Sequence, residues 1–248
     1  MDFSAAEYAD RDADRLEQVL SGPPVTWVFL GDSITQGVTH THGRRGFVEH
    51  FAERVRGELG RRSDAVVNSG VSGTTAQSPL AEFDWRAGRF APDVVFVMFG
   101  TNDVVAGPDG VRAYRYRLDQ IVQRTRDLGA TVVLQTPPPV RAEGERTPQN
   151  LAQYVDAVRS LATDLGVVLV DHAAHWSADD AERTERAETA AGAGAVAGPA
   201  DSWLDDAFHP NARGHLEMAR TIFRTLGIDA DDSAVCSLEI DGGVTAPA

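Results

Sequence analysis

The chain has 248 residues, 42% of them hydrophobic and 24% charged, proportions that suit one compact globular domain. Its 23 basic residues are outnumbered by 37 acidic ones, for a formal net charge of −14. That balance repels phosphate backbones and anionic lipid surfaces, so no nucleic-acid partner is expected. Every basic residue is arginine, which excludes P-loop and Schiff-base lysine chemistry, and the single Cys236 excludes an intrachain disulfide or a cysteine-rich zinc site.

The N-terminal stretch MDFSAAEYADRDADRLEQVL is acidic where a secretory leader carries positive charge before an apolar run. No segment approaches the roughly 18 apolar residues of a membrane span. A cytoplasmic chain without membrane insertion is therefore the expectation. Apolar runs of strand length follow at Val25 to Leu30, Ala65 to Asn68, Val94 to Phe99, Thr131 to Gln135 and Val167 to Val170. They are almost continuously apolar rather than alternating, the pattern of strands covered on both faces of a parallel sheet.

Helical patterns fill the gaps. From Gly46 to Leu59, Phe47, Phe51, Val55 and Leu59 fall on one stripe. Asp109 is read as the cap of a helix reaching Leu128, stopped by Gly129. Another helix is expected over Pro148 to Leu165, and a last one from Pro210 through Leu216, Ile222 and Phe223 to Gly227. Strands alternating with helices predict an α/β fold, a three-layer α/β/α sandwich around a central, mainly parallel five-stranded sheet. Ligands of such open sheets bind at the carboxyl ends of the strands. A single domain over 1–248 is expected, with residues 177–200 as a mobile lid and 229–248 as a polar C-terminal extension. Gly192-Ala193-Gly194 follows no strand and lacks GxGxxG spacing, so no dinucleotide cofactor is inferred.

The chemistry gathers at the strand ends. Gly31-Asp32-Ser33-Ile34-Thr35 directly follows the first strand and presents a hydroxyl at the sheet edge; such a serine is either a nucleophile, if a base takes its proton, or a cap. Ser72 is a near miss for the GxSxG elbow, with Thr74 in place of the second glycine. In Asp206-Ala207-Phe208-His209 the carboxylate stands three residues before the imidazole, close enough to accept from Nδ1 and leave Nε2 free as a general base. Asp205 is the competing carboxylate. The glycine-containing turns Asn68 to Gly73 and Gly100 to Asp103 are candidate donors to a developing oxyanion. Asp32 and Asp103 are read as loop-bracing residues.

Read in order, these four blocks resemble the SGNH hydrolases, the GDSL-type esterase and lipase superfamily: Ser33 in GDSIT, Gly73 in NSGVSG, Asn102 in GTND and His209 in DAFHP. The resemblance covers roughly residues 25–225. It implies a flavodoxin-like fold and serine-dependent hydrolysis of esters or thioesters without a metal or organic cofactor. On that resemblance Ser33 is the nucleophile, His209 the base and then the acid, and Asp206 its orienting carboxylate. Ser33, Gly73 and Asn102 form the oxyanion hole, and the substrate is a small-molecule ester.

Other readings remain open on the residues alone. An acyltransferase, a lysophospholipase or a thioesterase would use the same set. A metal-dependent hydrolase is suggested by His40, His42, His50, His172 and His175, and a non-catalytic binding protein needs only the fold. His40 and His42 show no carboxylate partner at metal-ligand spacing and are read as solvated loop residues. Trp85, Trp176 and Trp203 are candidate walls of the pocket; Trp203, close before Asp206, either projects over the cleft or packs in the core, as large aromatics of α/β proteins usually do.

Overall fold

The computed structural model of the chain describes residues 5–177 and 203–240, with side chains from Asp12 onward. Five parallel strands, β1 (Thr26–Gly31), β2 (Ala65–Gly70), β3 (Val94–Met98), β4 (Thr131–Gln135) and β5 (Val168–Val170), form one sheet in the order β2-β1-β3-β4-β5. The chain steps from β1 to one side, then returns to place β3 on the other. This switch point opens a crevice at the carboxyl ends of β1 and β3.

Successive side chains of a strand face opposite layers, and the sequence uses both. Val28, Leu30, Val95, Val97, Val132 and Leu134 pack against α6 (Val111–Asp127) and α7 (Pro148–Leu165). Trp27, Phe29, Phe96 and Met98 pack on the other face against α3 (Phe47–Glu53) and α9 (Ala212–Leu226). On that face Phe29 and Phe96 stack at 4.4 Å with Phe51 edge-on to both; each such pair contributes about 0.5–1.5 kcal/mol beyond the area it buries. Between these helices lie the short α2 (Ser33–Gln36), α4 (Gln77–Ala81) and α5 (Phe83–Arg86), while residues 172–177 form α8.

The structure departs from the sequence expectation at five places. An unforeseen helix α1 (Ala5–Ser21) precedes the sheet, with Leu16, Val19 and Leu20 against the core. The α3 stripe stops early: residues Arg54–Glu58 widen into a π-helical turn, which carries Leu59 out to an exposed position. Asp109 does not cap α6; it lies in a 3₁₀ turn, and Gly110 precedes the helix without a side-chain cap. The last helix starts two residues beyond Pro210, capped by Asn211, whose Oδ1 accepts from the N–H groups of Arg213 and Gly214. Finally, β2 is an edge strand only partly covered.

The polar extension is anchored as far as Leu238, whose carbonyl accepts from Arg220. Glu58 accepts from the Ser233 hydroxyl and the Val235 N–H, Arg220 donates to the Cys236 carbonyl, and Val235 joins the core. The expected lid, Gly192 and Gly194 lie largely or wholly in 178–202, outside the described residues, as does 241–248.

Candidate active site

β1 ends at the crevice, and Asp32 turns the chain. Its Oδ1 accepts the Ile34 N–H at 2.9 Å, which starts α2 with Ser33 as the first helical residue. The turn lies directly on the end of β2: a Cβ added to Gly70 would stand 2.4 Å from the Gln36 nitrogen and 2.8 Å from the Thr35 carbonyl carbon. Only glycine allows α2 to approach the end of β2 this closely. Burial pushes the Asp32 carboxyl up to about 7, helped by the nearby Asp103 charge and opposed by the Ile34 N–H.

The second half of the site comes from the far end of the chain. Leu204 and Pro210 form an antiparallel bridge, and the Asp205 N–H donates to the His209 carbonyl at 2.8 Å, so residues 205–209 make a closed turn. Within it, Asp206 Oδ1 accepts the N–H groups of Phe208 and His209, while Oδ2 accepts from His209 Nδ1 at 2.7 Å. Since a carboxylate only accepts, Nδ1 carries the proton and the lone pair sits on Nε2. That Nε2 lies 2.9 Å from Ser33 Oγ. Burial raises Asp206, but its hydrogen bonds to His209 and the turn outweigh this and hold it below the usual carboxylate range. Burial of His209 lowers its pKa, only partly offset by Asp206.

The loops after β2 and β3 complete the rim. Gly73 has φ +76° and open space where a Cβ would stand, and among the described residues no acceptor is paired with its N–H. Asn102 Nδ2 donates to the Thr74 carbonyl at 3.0 Å and lies 3.4 Å from Asp32 Oδ2, a weak contact. Its Oδ1 accepts from Arg146 Nη2 at 3.2 Å, which sets the amide's orientation. Asp103 accepts the Ala76 N–H and so ties the β3 loop to the β2 loop; burial lifts its carboxyl to about 6. Ser33, Asp206 and His209 are thus within bonding reach, with Asn102 linked to them through Asp32. Gly73 is placed on the adjoining loop.

The family model described as the GDSL-like lipase/acylhydrolase family matches residues 29–216, which include all of these positions. The chain belongs to the GDSL-like lipase/acylhydrolase family. It is an ester-hydrolysing enzyme. An acetylxylan esterase of Geobacillus stearothermophilus is 28% identical over 223 residues, covering 82% of this chain and 94% of that protein. The solved structure of LAE5, an alpha/beta hydrolase enzyme from the metagenome of Lake Arreo, Spain, matches with a TM-score of 0.65 and 25% identity over 85% of this chain and 98% of its own. A catalytic mutant of the Geobacillus esterase with a histidine replaced by alanine matches with a TM-score of 0.62 and 25% identity, over 83% and 95% of the two chains.

Around this GDSL-like centre the structure corrects several sequence readings. His42 is an exposed loop residue as expected and His40 a half-buried one, but the two share a carboxylate: His40 Nδ1 donates to Asp205 Oδ2 at 2.9 Å and His42 Nε2 to Asp205 Oδ1 at 2.7 Å. Asp205, the competing carboxylate, serves these two imidazoles rather than His209. His40 also stacks on His209, with ring centroids 3.8 Å apart and planes 8° from parallel. Sequence spacing does not reveal a pair 165 positions apart; the one available signal was two histidines immediately after the serine block.

Among the described residues, the group of three close enough to share an ion is His40, Asp206 and His209. There both Nδ1 atoms already donate to carboxylates. His50 and His172 are buried, His172 beside Gln135, and His175 stacks on Trp203. Trp203 packs edge-on against buried Trp176 at 5.0 Å and lies, partly buried, against the core, which is the packing alternative of the sequence reading. Trp85 is exposed beneath the Arg89 guanidinium. Arg146, not singled out in the sequence, reaches the site: besides Asn102 it bonds the Thr101 carbonyl and lies over the Phe208 ring.

Proposed function

We propose that this chain is a serine hydrolase that cleaves short-chain carboxylic esters, acetyl esters of soluble sugars foremost, through an acyl-enzyme on Ser33. The observation that carries the reading is the relay Ser33 Oγ to His209 Nε2 at 2.9 Å and His209 Nδ1 to Asp206 Oδ2 at 2.7 Å. Ser33 Oγ attacks the acyl carbonyl while His209 Nε2 takes its proton, and the Asp206 carboxylate stabilises the imidazolium. The carbon–oxygen bond to the alcohol breaks, and the alcohol leaves with the proton from Nε2. Water, activated in turn by His209, releases the acid and regenerates the serine.

The negative oxygen of each tetrahedral intermediate is assigned to three donors. Ser33 leads α2, so its N–H has no partner within the helix. Gly73 contributes an N–H on an open loop. Asn102 contributes the Nδ2 hydrogen that the long contact to Asp32 leaves weakly engaged. The acetyl preference rests on the name of the Geobacillus relative, and the soluble substrate on the net charge of −14, which disfavours anionic lipid surfaces.

The test is an ester panel of increasing acyl length on wild type and Ser33→Ala, with serine-directed inhibitor labelling read by intact mass. A single adduct on Ser33, activity falling with chain length, and loss of both in Ser33→Ala are expected. Full activity in Ser33→Ala, or complete inhibition by a chelator without any serine adduct, overturns the reading.

A further inference from the structure

We propose that His40, held by Asp205, is a positioning residue for His209: a second carboxylate–imidazole couple laid flat on the first, which keeps the reactive ring turned toward Ser33. The inference rests on the reading of His209 as the base.

The Asp206 bond fixes one edge of the His209 ring but leaves rotation about the Nδ1–Oδ2 line open. Closing that freedom requires contact with the ring face. His40 supplies it, parallel within 8° at a centroid distance of 3.8 Å, while Phe208 leans on the same ring at 4.3 Å with a 42° tilt. His40 is itself held. Asp205 accepts from His40 on one oxygen and from His42 on the other, and donates its backbone N–H to the His209 carbonyl. The covering ring and the covered ring are therefore tied to one turn.

The loop carrying His40 is built for this contact. Gly37 ends α2 in the left-handed conformation, and the Thr41 hydroxyl bonds back to the Gly37 and Val38 carbonyls. His42 then adopts φ +50°, an unfavourable conformation for a residue with a Cβ, which is tolerated where the surroundings over-determine it. The segment is continuous with α2, so the same stretch of chain carries Ser33 and the ring that covers His209.

The groups facing the stacked pair also suit an imidazole that becomes charged during turnover. Asp205 and Asp206 are the carboxylates, His42 lies across Asp205, buried His215 approaches from α9, and Arg146 comes from the loop before α7. His40 and Arg146 both act to lower the His209 pKa.

The test compares His40→Ala, His40→Phe and Asp205→Asn on an acetyl ester, with kcat and KM followed against pH, thermal unfolding as a check of fold, and Ser33→Ala alongside. His40→Ala is expected to lower kcat on the order of tenfold, the scale of a modest misplacement of a reacting group, with KM nearly unchanged. His40→Phe, which keeps the flat contact and removes the imidazole that acts to lower the His209 pKa, is expected to recover most of kcat while its acid limb moves to higher pH. Asp205→Asn falls between. Wild-type kcat in a folded His40→Ala, or a phenylalanine variant as slow as the alanine one with an unmoved acid limb, overturns the inference. If Ser33→Ala is dead while the His40 variants match wild type, the positioning role alone falls; an active Ser33→Ala removes the reading beneath it.

Discussion

His50, on α3, is buried to 1% exposure, and neither ring nitrogen has a hydrogen-bond partner in the described structure. Burial lowers its pKa from the ordinary 6.5 to about 4, assisted by the positive charges of Arg45 and Arg220. The folded chain thus resists protonation where the unfolded chain accepts it. Stability from the neutral ring is fully present above pH 6.5 and is lost as pH falls toward 4, at about 1.4 kcal/mol per pH unit. By pH 5 the unfolded state has gained about 2 kcal/mol from this group alone. His172 and His215, each lowered to about 3 chiefly by burial, act with the same sign, while Asp32 and Asp103, raised by burial, act with the opposite one. Comparing wild type with His50→Leu cancels those shared contributions. Urea denaturation at pH 8 and pH 5 is expected to show the variant gaining about 2 kcal/mol relative to wild type on acidification. Parallel stability curves for the two proteins would refute the assignment of a buried, neutral His50.

Three further outcomes follow from the site. In the proposed mechanism His209 must be neutral to take the Ser33 proton, and its pKa is lowered, chiefly by burial, so kcat/KM against pH is expected to fall on an acid limb centred below the ordinary 6.5 of histidine; a limb centred above 6.5 contradicts this. On the proposed oxyanion role of Asn102, Asn102→Ala is expected to lower kcat by about 10²–10³ with little change in KM, and steady-state kinetics on a short-chain ester measures it. Gly70→Ala forces a Cβ to 2.4 Å from the Gln36 nitrogen; a loss of about 1–3 kcal/mol in denaturant unfolding and a reduced kcat are expected as α2 is displaced.

Local pattern carried much of the fold. β1, β3 and β4 are buried along nearly their whole length, so unbroken apolar runs mark them without ambiguity. Edge strands β2 and β5 needed the neighbouring sequence, and α1 was missed because its short apolar stripe sits in an acidic, alanine-rich segment. Where helix ends depend on a named cap, Thr147 and Gly166 around α7 for example, the boundaries are legible. Where they depend on a turn donated by tertiary packing, as at Asp109, they are not.

The sequence by itself determined the chemistry available to this protein: a serine after the first strand, DxxH before the last helix, glycine and asparagine at two strand ends, and neither lysine nor a second cysteine. These are short-range features, set by which residue follows which. Only the tertiary structure decided that Ser33 and His209 lie 2.9 Å apart, that Asp205 bonds His40 and His42 rather than His209, that Arg146 orients Asn102, and that Trp203 packs against the core. The reason is physical. Each of those contacts joins residues far apart along the chain, and their distances follow from the strand order, which brings the carboxyl ends of β1, β2 and β3 together and leaves the chain between them free to vary.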